Sequence, residues 1–179
     1  MTLLEVRTLL YKHELPFEEI IYSRKEEFLK EYFGYICSKD TENAKVAILM
    51  IRNENHNKHL LLEFNLEGQD YIFQNLYFGA FDYEMFNYNE NMLPVDLINN
   101  IKTVMDGKQY IINVINLKKK KWCADARFVI SEDPDEDDSL GLSKAVRKIE
   151  QPKSWLQKLL KMQYQYEIYN WNNYRGITR

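Results

Sequence analysis

The chain has 179 residues, of which 45% are hydrophobic and 28% are charged, and its formal net charge is −3. This composition is that of a globular protein and excludes global disorder, and the length suits one domain over residues 1–179. The longest apolar run, residues 46–51, is far shorter than the roughly 20 residues that a membrane helix requires. We therefore expect no membrane association.

The cysteines and the amino terminus indicate a reducing compartment. Cys37 and Cys123 lie far apart and form no CxxC motif, which predicts neither a disulfide framework nor a structural zinc site. Glu5 and Arg7 interrupt the apolar run that a signal peptide would need. These features predict a cytoplasmic protein.

The first predicted element is a helix over residues 3–13. Thr2 and Glu5 have the spacing of a capping box, and Pro16 ends the pattern. Apolar residues follow the cap at helical spacing: Leu3, Val6, Leu9 and Leu10. A short strand over residues 17–22 and a charged helix or turn over residues 24–33 are expected next.

A meander of four antiparallel strands is predicted over residues 46–51, 60–66, 71–78 and 81–88. These runs are rich in β-branched and aromatic residues and are separated by polar or glycine-containing breaks. Residues 64–88 hold nine aromatic residues and four carboxylates without one Lys or Arg. In the last strand Asp82 and Glu84 share a face, which we expect to meet solvent or a partner.

The second half of the chain continues with a helix over residues 94–105, begun by Pro94 and ended by Gly107. Strands over residues 110–117 and 122–130 are predicted to form a hairpin, and helices over 140–149 and 154–169 follow. The last helix is predicted from a stripe of Trp155, Leu159, Met162, Tyr166 and Tyr169. The fold class is thus α+β, with one antiparallel sheet of about six strands and helices from both termini and the middle on one face.

Charge is segregated along the chain. Residues 54–106 carry a net charge of −7, residues 108–127 carry +5, residues 132–138 hold six acids, and residues 139–179 carry +6. Such striping indicates either binding surfaces of two signs or neutralisation inside the fold.

No motif in the chain predicts catalysis, a metal or a cofactor. The three histidines, His13, His56 and His59, accompany no nucleophile motif, and His56 with His59 is read as a solvated turn rather than a metal site. Residues 133–144 begin like a calcium loop, but Asp138 and Lys144 occupy the positions of the required Gly and Glu. An unrecognised metal-dependent hydrolase remains the third reading.

Four consecutive lysines at residues 118–121, followed by Trp122, are the nucleic-acid candidate. Clustered cations raise phosphate affinity and a Trp can stack on a base. Dense carboxylates lie on both sides in sequence, so the tip is interpreted as a solvated turn, and no specific nucleic-acid binding is expected at physiological salt. A nucleic-acid-associated regulatory protein is the second reading.

Three segments carry a family resemblance: YFGAFDYEMF at residues 77–86, the helix over residues 93–105 with Asp106-Gly-Lys108, and NLKKKKWCADARF at residues 116–128. The pattern resembles the small α+β immunity proteins encoded beside polymorphic toxins in low-GC Gram-positive bacteria. The resemblance implies a protein without catalytic residues that binds and blocks a cognate protein toxin.

An acidic, aromatic-studded surface suits a cationic toxin, because complementary charge accelerates association. The candidate partner-binding residues lie at the end of the meander and in the acidic loop: Asp82, Glu84, Tyr88, Asp133, Asp135 and Glu136.

Overall fold

The structure is a computed structural model that describes residues 1–33, 44–79, 81–82, 93–117, 121–129 and 164–178. Helices lie at α1 (Leu3–Lys12), α2 (Lys25–Phe33) and α3 (Pro94–Met105). The strands of the first half are β1 (Glu18–Tyr22), β2 (Val46–Ile51), β3 (Leu60–Glu67), β4 (Asp70–Phe78) and β5 (Phe81–Asp82). Those of the second half are β6 (Gln109–Asn116), β7 (Lys121–Val129), β8 (Tyr164–Tyr169) and β9 (Tyr174–Thr178).

The chain divides into two compact units, Met1–Lys102 and Thr103–Arg179, and each has its own antiparallel sheet. The first sheet has five strands in the order β1-β2-β3-β4-β5, and the second has four in the order β7-β6-β8-β9. The α+β class is confirmed. The single sheet of about six strands is wrong, because β6 pairs with β7 and with β8 rather than with the meander. One domain over residues 1–179 stays a prediction.

Helix α1 begins with the predicted capping box. The Thr2 backbone N–H donates to Glu5 Oε2 at 2.7 Å, and the Glu5 N–H donates to Thr2 Oγ1 at 3.3 Å. The hydrogen bond from the Thr2 backbone, followed by the interaction with the Thr2 hydroxyl, lowers the pKa of Glu5 by stabilising its carboxylate. The helix ends at Lys12, and Glu14 follows with φ of 56°.

The first sheet is covered on both faces. Strand β2 is buried at every position, which a sheet with one solvated face would not allow. Ile20 and Ile48 share the face that packs against Phe28 of α2, whereas Glu19, on the opposite face, forms an ion pair with Arg7 of α1 at 3.2 Å. The expectation that helices pack on one face is therefore wrong for this sheet.

The predicted helix over residues 154–169 is wrong at its carboxyl end, where β8 (Tyr164–Tyr169) is a strand that pairs with β6 and β9. The sequence YQYEIY places Tyr164, Tyr166 and Ile168 at alternate positions, and this period of two and its aromatic content favour a strand. The first part of the predicted helix, with Trp155, Leu159 and Met162, lies outside the described residues. The predicted helix over 140–149 lies outside the described residues.

Helix α3 has the apolar stripe that its sequence predicts. Leu97, Ile101 and Val104 are fully buried and Ile98 is 2% exposed, whereas Val95 is 56% exposed. The stripe follows one face of the helix, so the buried residues lie three and four positions apart.

We expect Ile101→Ala to lower the free energy of unfolding by about 2 to 5 kcal/mol, because it removes buried methyl groups and leaves a cavity. The matched control is Val95→Ala, which shortens an exposed side chain of the same helix. Urea unfolding of both variants measures the difference. A loss under about 0.5 kcal/mol for Ile101→Ala would contradict this placement of the stripe.

Candidate functional site

Of the six predicted partner-binding residues, the structure describes only the backbone of Asp82. The backbone of Asp82 pairs with Tyr77 of β4. Five of the predicted residues lie outside the described part of the chain: Glu84, Tyr88, Asp133, Asp135 and Glu136. The binding role of all six stays a prediction.

The aromatic residues of the meander that the structure describes belong mostly to the core. Phe64, Phe73 and Phe78 are at most 1% exposed and Tyr77 is 7% exposed. Phe64 and Phe73 pack edge to face with ring centroids 5.5 Å apart. The aromatic richness of residues 64–78 therefore reflects a sheet buried on both faces, and a contact surface must be sought elsewhere in the described residues.

A buried carboxylate lies beneath helix α2. Glu63 of β3 is fully buried, and it forms an ion pair through Oε1 with Lys25 Nζ at the start of α2. The Tyr77 hydroxyl donates to Glu63 Oε2 at 2.6 Å. A buried charge is tolerated when it is paired and hydrogen-bonded in this way. This arrangement has the character of a core ion pair that fixes α2 on the sheet.

Two aromatic rings of α2 pack with two aromatic rings of the sheet. Phe28 of α2 lies 5.9 Å from the Tyr22 ring, 5.6 Å from Tyr32 and 6.0 Å from Tyr77, measured between centroids. Burial, followed by the hydrogen bond that the hydroxyl donates to Glu31, raises the pKa of Tyr22 above its ordinary value. Burial likewise raises the pKa of Tyr32. The neutral phenols serve as packing groups with satisfied hydroxyls.

The outer face of α1 exposes two large apolar side chains. Leu4 is 71% exposed and Tyr11 is 69% exposed, whereas Val6 and Leu10 of the same helix are fully buried. Leu4 and Tyr11 are seven residues apart and hence share one face of the helix. Phe17 extends this face, since its ring meets the Tyr11 ring at 5.1 Å between centroids. We call Leu4, Tyr11 and Phe17 the α1 stripe.

Strand β1 lies beside α1 at the edge of the first sheet. Ile21 of this strand is 59% exposed and shares its sheet face with Glu19, which Arg7 of α1 contacts. On the other sheet face, Glu18 accepts two hydrogen bonds from Arg52 at 2.5 and 2.8 Å. Arg52 thereby lowers the pKa of Glu18. The edge thus combines one exposed apolar side chain with carboxylates that are held in place by arginines.

The buried face of α1 was predicted from the sequence, but the α1 stripe was not. Its predicted apolar stripe contained Val6 and Leu10, which are buried, and Leu3 and Leu9, which are half-buried. Leu4 and Tyr11 stand at i and i+7 outside that stripe. A second apolar spacing on an otherwise amphipathic helix was the available signal.

The histidines of the β2–β3 loop are engaged by backbone groups. His59 Nδ1 accepts from the Asn53 N–H at 3.0 Å, and His56 Nδ1 accepts from the Lys58 N–H at 3.1 Å. The Nδ1 lone pairs of both rings are therefore engaged by backbone N–H groups. This geometry favours a turn over a metal site. Within the described ranges, no three His, Cys, Asp or Glu residues are grouped to hold a metal ion.

A buried polar group lies in the second unit. Asn113 of β6 is fully buried and donates to the Tyr169 hydroxyl at 3.1 Å. Glu167 of β8, its neighbour in the sheet, accepts from Tyr174 at 2.9 Å and from Gln165 at 3.1 Å. Burial and the adjacent carboxylate raise the pKa of Tyr174 to about 12.

The proposed lysine tip is described only at its last member. Lys121 begins β7 and pairs with Asn116, and Trp122 pairs with Ile115. Residues 118–120 lie outside the described part, so the nucleic-acid alternative gains no geometric support and stays a prediction.

No helix in the described ranges combines the length and apolar character that crossing a bilayer demands. Comparison with protein-family models, with curated proteins and with solved structures gives no match.

Proposed function

We propose that the chain is a non-catalytic inhibitor that binds a cognate protein toxin, as an immunity protein does, and that the α1 stripe lies at the centre of the contact. The proposal combines the resemblance carried by residues 77–86, 93–108 and 116–128 with the surface of the first unit. The toxin is the partner, and the chain itself performs no chemistry.

The exposure of Leu4 and Tyr11 carries this proposal. Val6 and Leu10 already bury the inner face of α1. Packing within the chain therefore does not explain the large apolar side chains of Leu4 and Tyr11, which are about 70% exposed. Single exposed apolar residues are ordinary, but a Leu and a Tyr two turns apart, extended by Phe17, provide an anchor for a groove on a partner. Tyrosine is enriched among the residues that dominate protein–protein binding.

Charge supports a cationic partner. Residues 54–106, which supply most of the first sheet, carry a net charge of −7. Excess carboxylates of this kind accelerate the encounter with a positively charged protein and make the association rate fall with salt. Apolar contact and electrostatic steering then make separate contributions, and the two are distinguishable by kinetics.

The product of the neighbouring gene is the partner to test, by surface plasmon resonance at two salt concentrations. We expect the double variant Leu4→Ser with Tyr11→Ser to weaken binding by about 2 kcal/mol or more, roughly thirtyfold, chiefly through faster dissociation. The matched control is Leu93→Ser with Val95→Ser, which removes two other apolar side chains that are 60% and 56% exposed. Equal affinities for the two double variants would contradict a central role for the α1 stripe.

The same measurement tests the acidic residues predicted from the sequence. Asp82→Lys with Glu84→Lys is expected to slow association and to reduce its salt dependence if the two carboxylates steer the partner from the rim. If this variant loses binding and the α1 variant does not, the inhibitor function stands and its surface moves to the end of the meander. If the wild-type chain does not bind the neighbouring product, the proposed function is wrong.

A further inference from the structure

The loop between β2 and β3 is closed by its own side chains. Asn53 Oδ1 accepts from the Asn55 N–H at 2.8 Å, which forms a local turn at the start of the loop. His59 Nδ1 accepts from the Asn53 N–H at 3.0 Å and so joins the two ends of the loop. The carbonyl oxygen of His59 also accepts from the Gly79 N–H at 3.1 Å, which ties the loop to the end of β4.

His56 closes the middle of the loop in the same manner. Its Nδ1 accepts from the Lys58 N–H at 3.1 Å, and its Nε2 lies 3.3 Å from the Asn53 side-chain amide. The imidazole also lies 6.4 Å from the Phe78 ring, measured between centroids. For His59, acceptance at Nδ1 requires a neutral ring, because a doubly protonated imidazole donates at both nitrogens.

We propose that His59 makes the β2–β3 loop an acid-sensitive switch, closed when its imidazole is neutral and opened when it is protonated. A proton added at Nδ1 faces the Asn53 N–H that the nitrogen had accepted from, so the hydrogen bond is replaced by repulsion between two donors. The loop opens at the Asn53 amide, where His59 joins its two ends. The switch is independent of the partner proposed above.

The charges around His59 favour its neutral form. Burial lowers the pKa of His59 below its ordinary value, and Arg52 and His56 act in the same direction. Glu18 and Glu54 oppose them, but Glu18 already accepts both of its hydrogen bonds from Arg52. A histidine whose pKa is lowered by folding contributes its full stability above its unfolded pKa of about 6.5. That contribution is lost as the pH falls below this value toward the folded pKa.

Hydrogen exchange of the Asn53 amide tests the switch. After correction for intrinsic exchange, we expect its protection to fall at least severalfold between about pH 7.5 and about pH 4.5, a range that extends well below the ordinary histidine pKa of about 6.5. The variant His59→Asn keeps an acceptor near the Nδ1 position without a titrating ring, so its protection is expected to stay constant. His13→Asn, outside the loop at the end of α1, is the control and is expected to keep the acid sensitivity of the wild type.

Nitrogen-15 spectra of the wild-type His59 imidazole give a second readout that does not depend on the variant folding. This ring is expected to carry its proton on Nε2 near neutral pH. A proton on Nδ1 of His59, constant wild-type protection down to about pH 4.5, or full acid sensitivity in the His59→Asn variant would each overturn the proposal.

Discussion

Lys25→Met is expected to lower the free energy of unfolding by about 3 to 5 kcal/mol, the loss typical of removing one partner of a buried ion pair. Glu63 is fully buried, and its charge is compensated by Lys25 and by the hydrogen bond from the Tyr77 hydroxyl. Methionine fills the space of the lysine stem but leaves the carboxylate without a cation. Chemical denaturation measures the loss, with Lys12→Met as the control at an exposed position of α1.

The double variant Lys25→Met with Glu63→Leu separates the ion pair from packing. A buried pair replaced by apolar residues of similar volume is often neutral in stability, so the double variant should recover more than half of the loss. If Lys25→Met and Lys12→Met are equally stable, Glu63 does not depend on Lys25, and the assignment of this ion pair as the anchor of α2 is wrong.

Phe28→Ala is expected to lower the free energy of unfolding by about 3 to 5 kcal/mol, as large-to-small changes of buried aromatic residues do. The Phe28 side chain is fully buried and lies among the rings of Tyr22, Tyr32 and Tyr77. Its removal leaves a cavity between α2 and the sheet and removes three ring contacts together.

Phe28→Leu is the matched variant, because it keeps an apolar side chain of intermediate volume at the same position. It is expected to cost less than half as much as Phe28→Ala in the same unfolding measurement. Equal losses for the two variants would show that α2 adapts to the missing volume, and the ring cluster would then not be the contact that holds the helix.

The strands of the first sheet were predictable because their apolar and aromatic residues have the periodicity and the run length of strands. Val46–Ile51 was predicted with the bounds that the structure has, and its unbroken apolar run also carried the signal for burial on both faces. Helices were nevertheless expected on one face of the sheet only. Reading the run as doubly covered would have predicted helices on both faces, as α1 and α2 are found.

Glu63 indicated a buried ion pair, but the prediction of strands made no use of it. A carboxylate in the middle of LLLEFNLE, a strand otherwise apolar at its start, needs a cation when it is buried. The sequence contains many lysines, however. The one that pairs with Glu63 is Lys25, which lies 38 positions earlier in the chain. Only the fold brings α2 over β3, so the partner was not predictable from spacing.

The strand β8 shows how two periods compete in one segment. Tyr166 and Tyr169 fit a helical stripe with Trp155, and Gln165, Glu167 and Tyr169 also share one face of a strand. Local pattern alone does not decide between these readings, because the deciding contribution is pairing with β6 and β9. The α1 stripe was not predicted, because the apolar spacing was used only to identify the buried face of the helix.

Growth of cells that produce the protein encoded beside this chain tests the central claim most directly. The account predicts that the neighbouring product arrests growth and that growth is restored by the wild-type chain and by the Leu93→Ser with Val95→Ser variant. The Leu4→Ser with Tyr11→Ser variant, present at the same level and folded, should restore little growth. Arrest that persists in the presence of the wild-type chain would contradict the proposal that this protein neutralises a toxin by binding it.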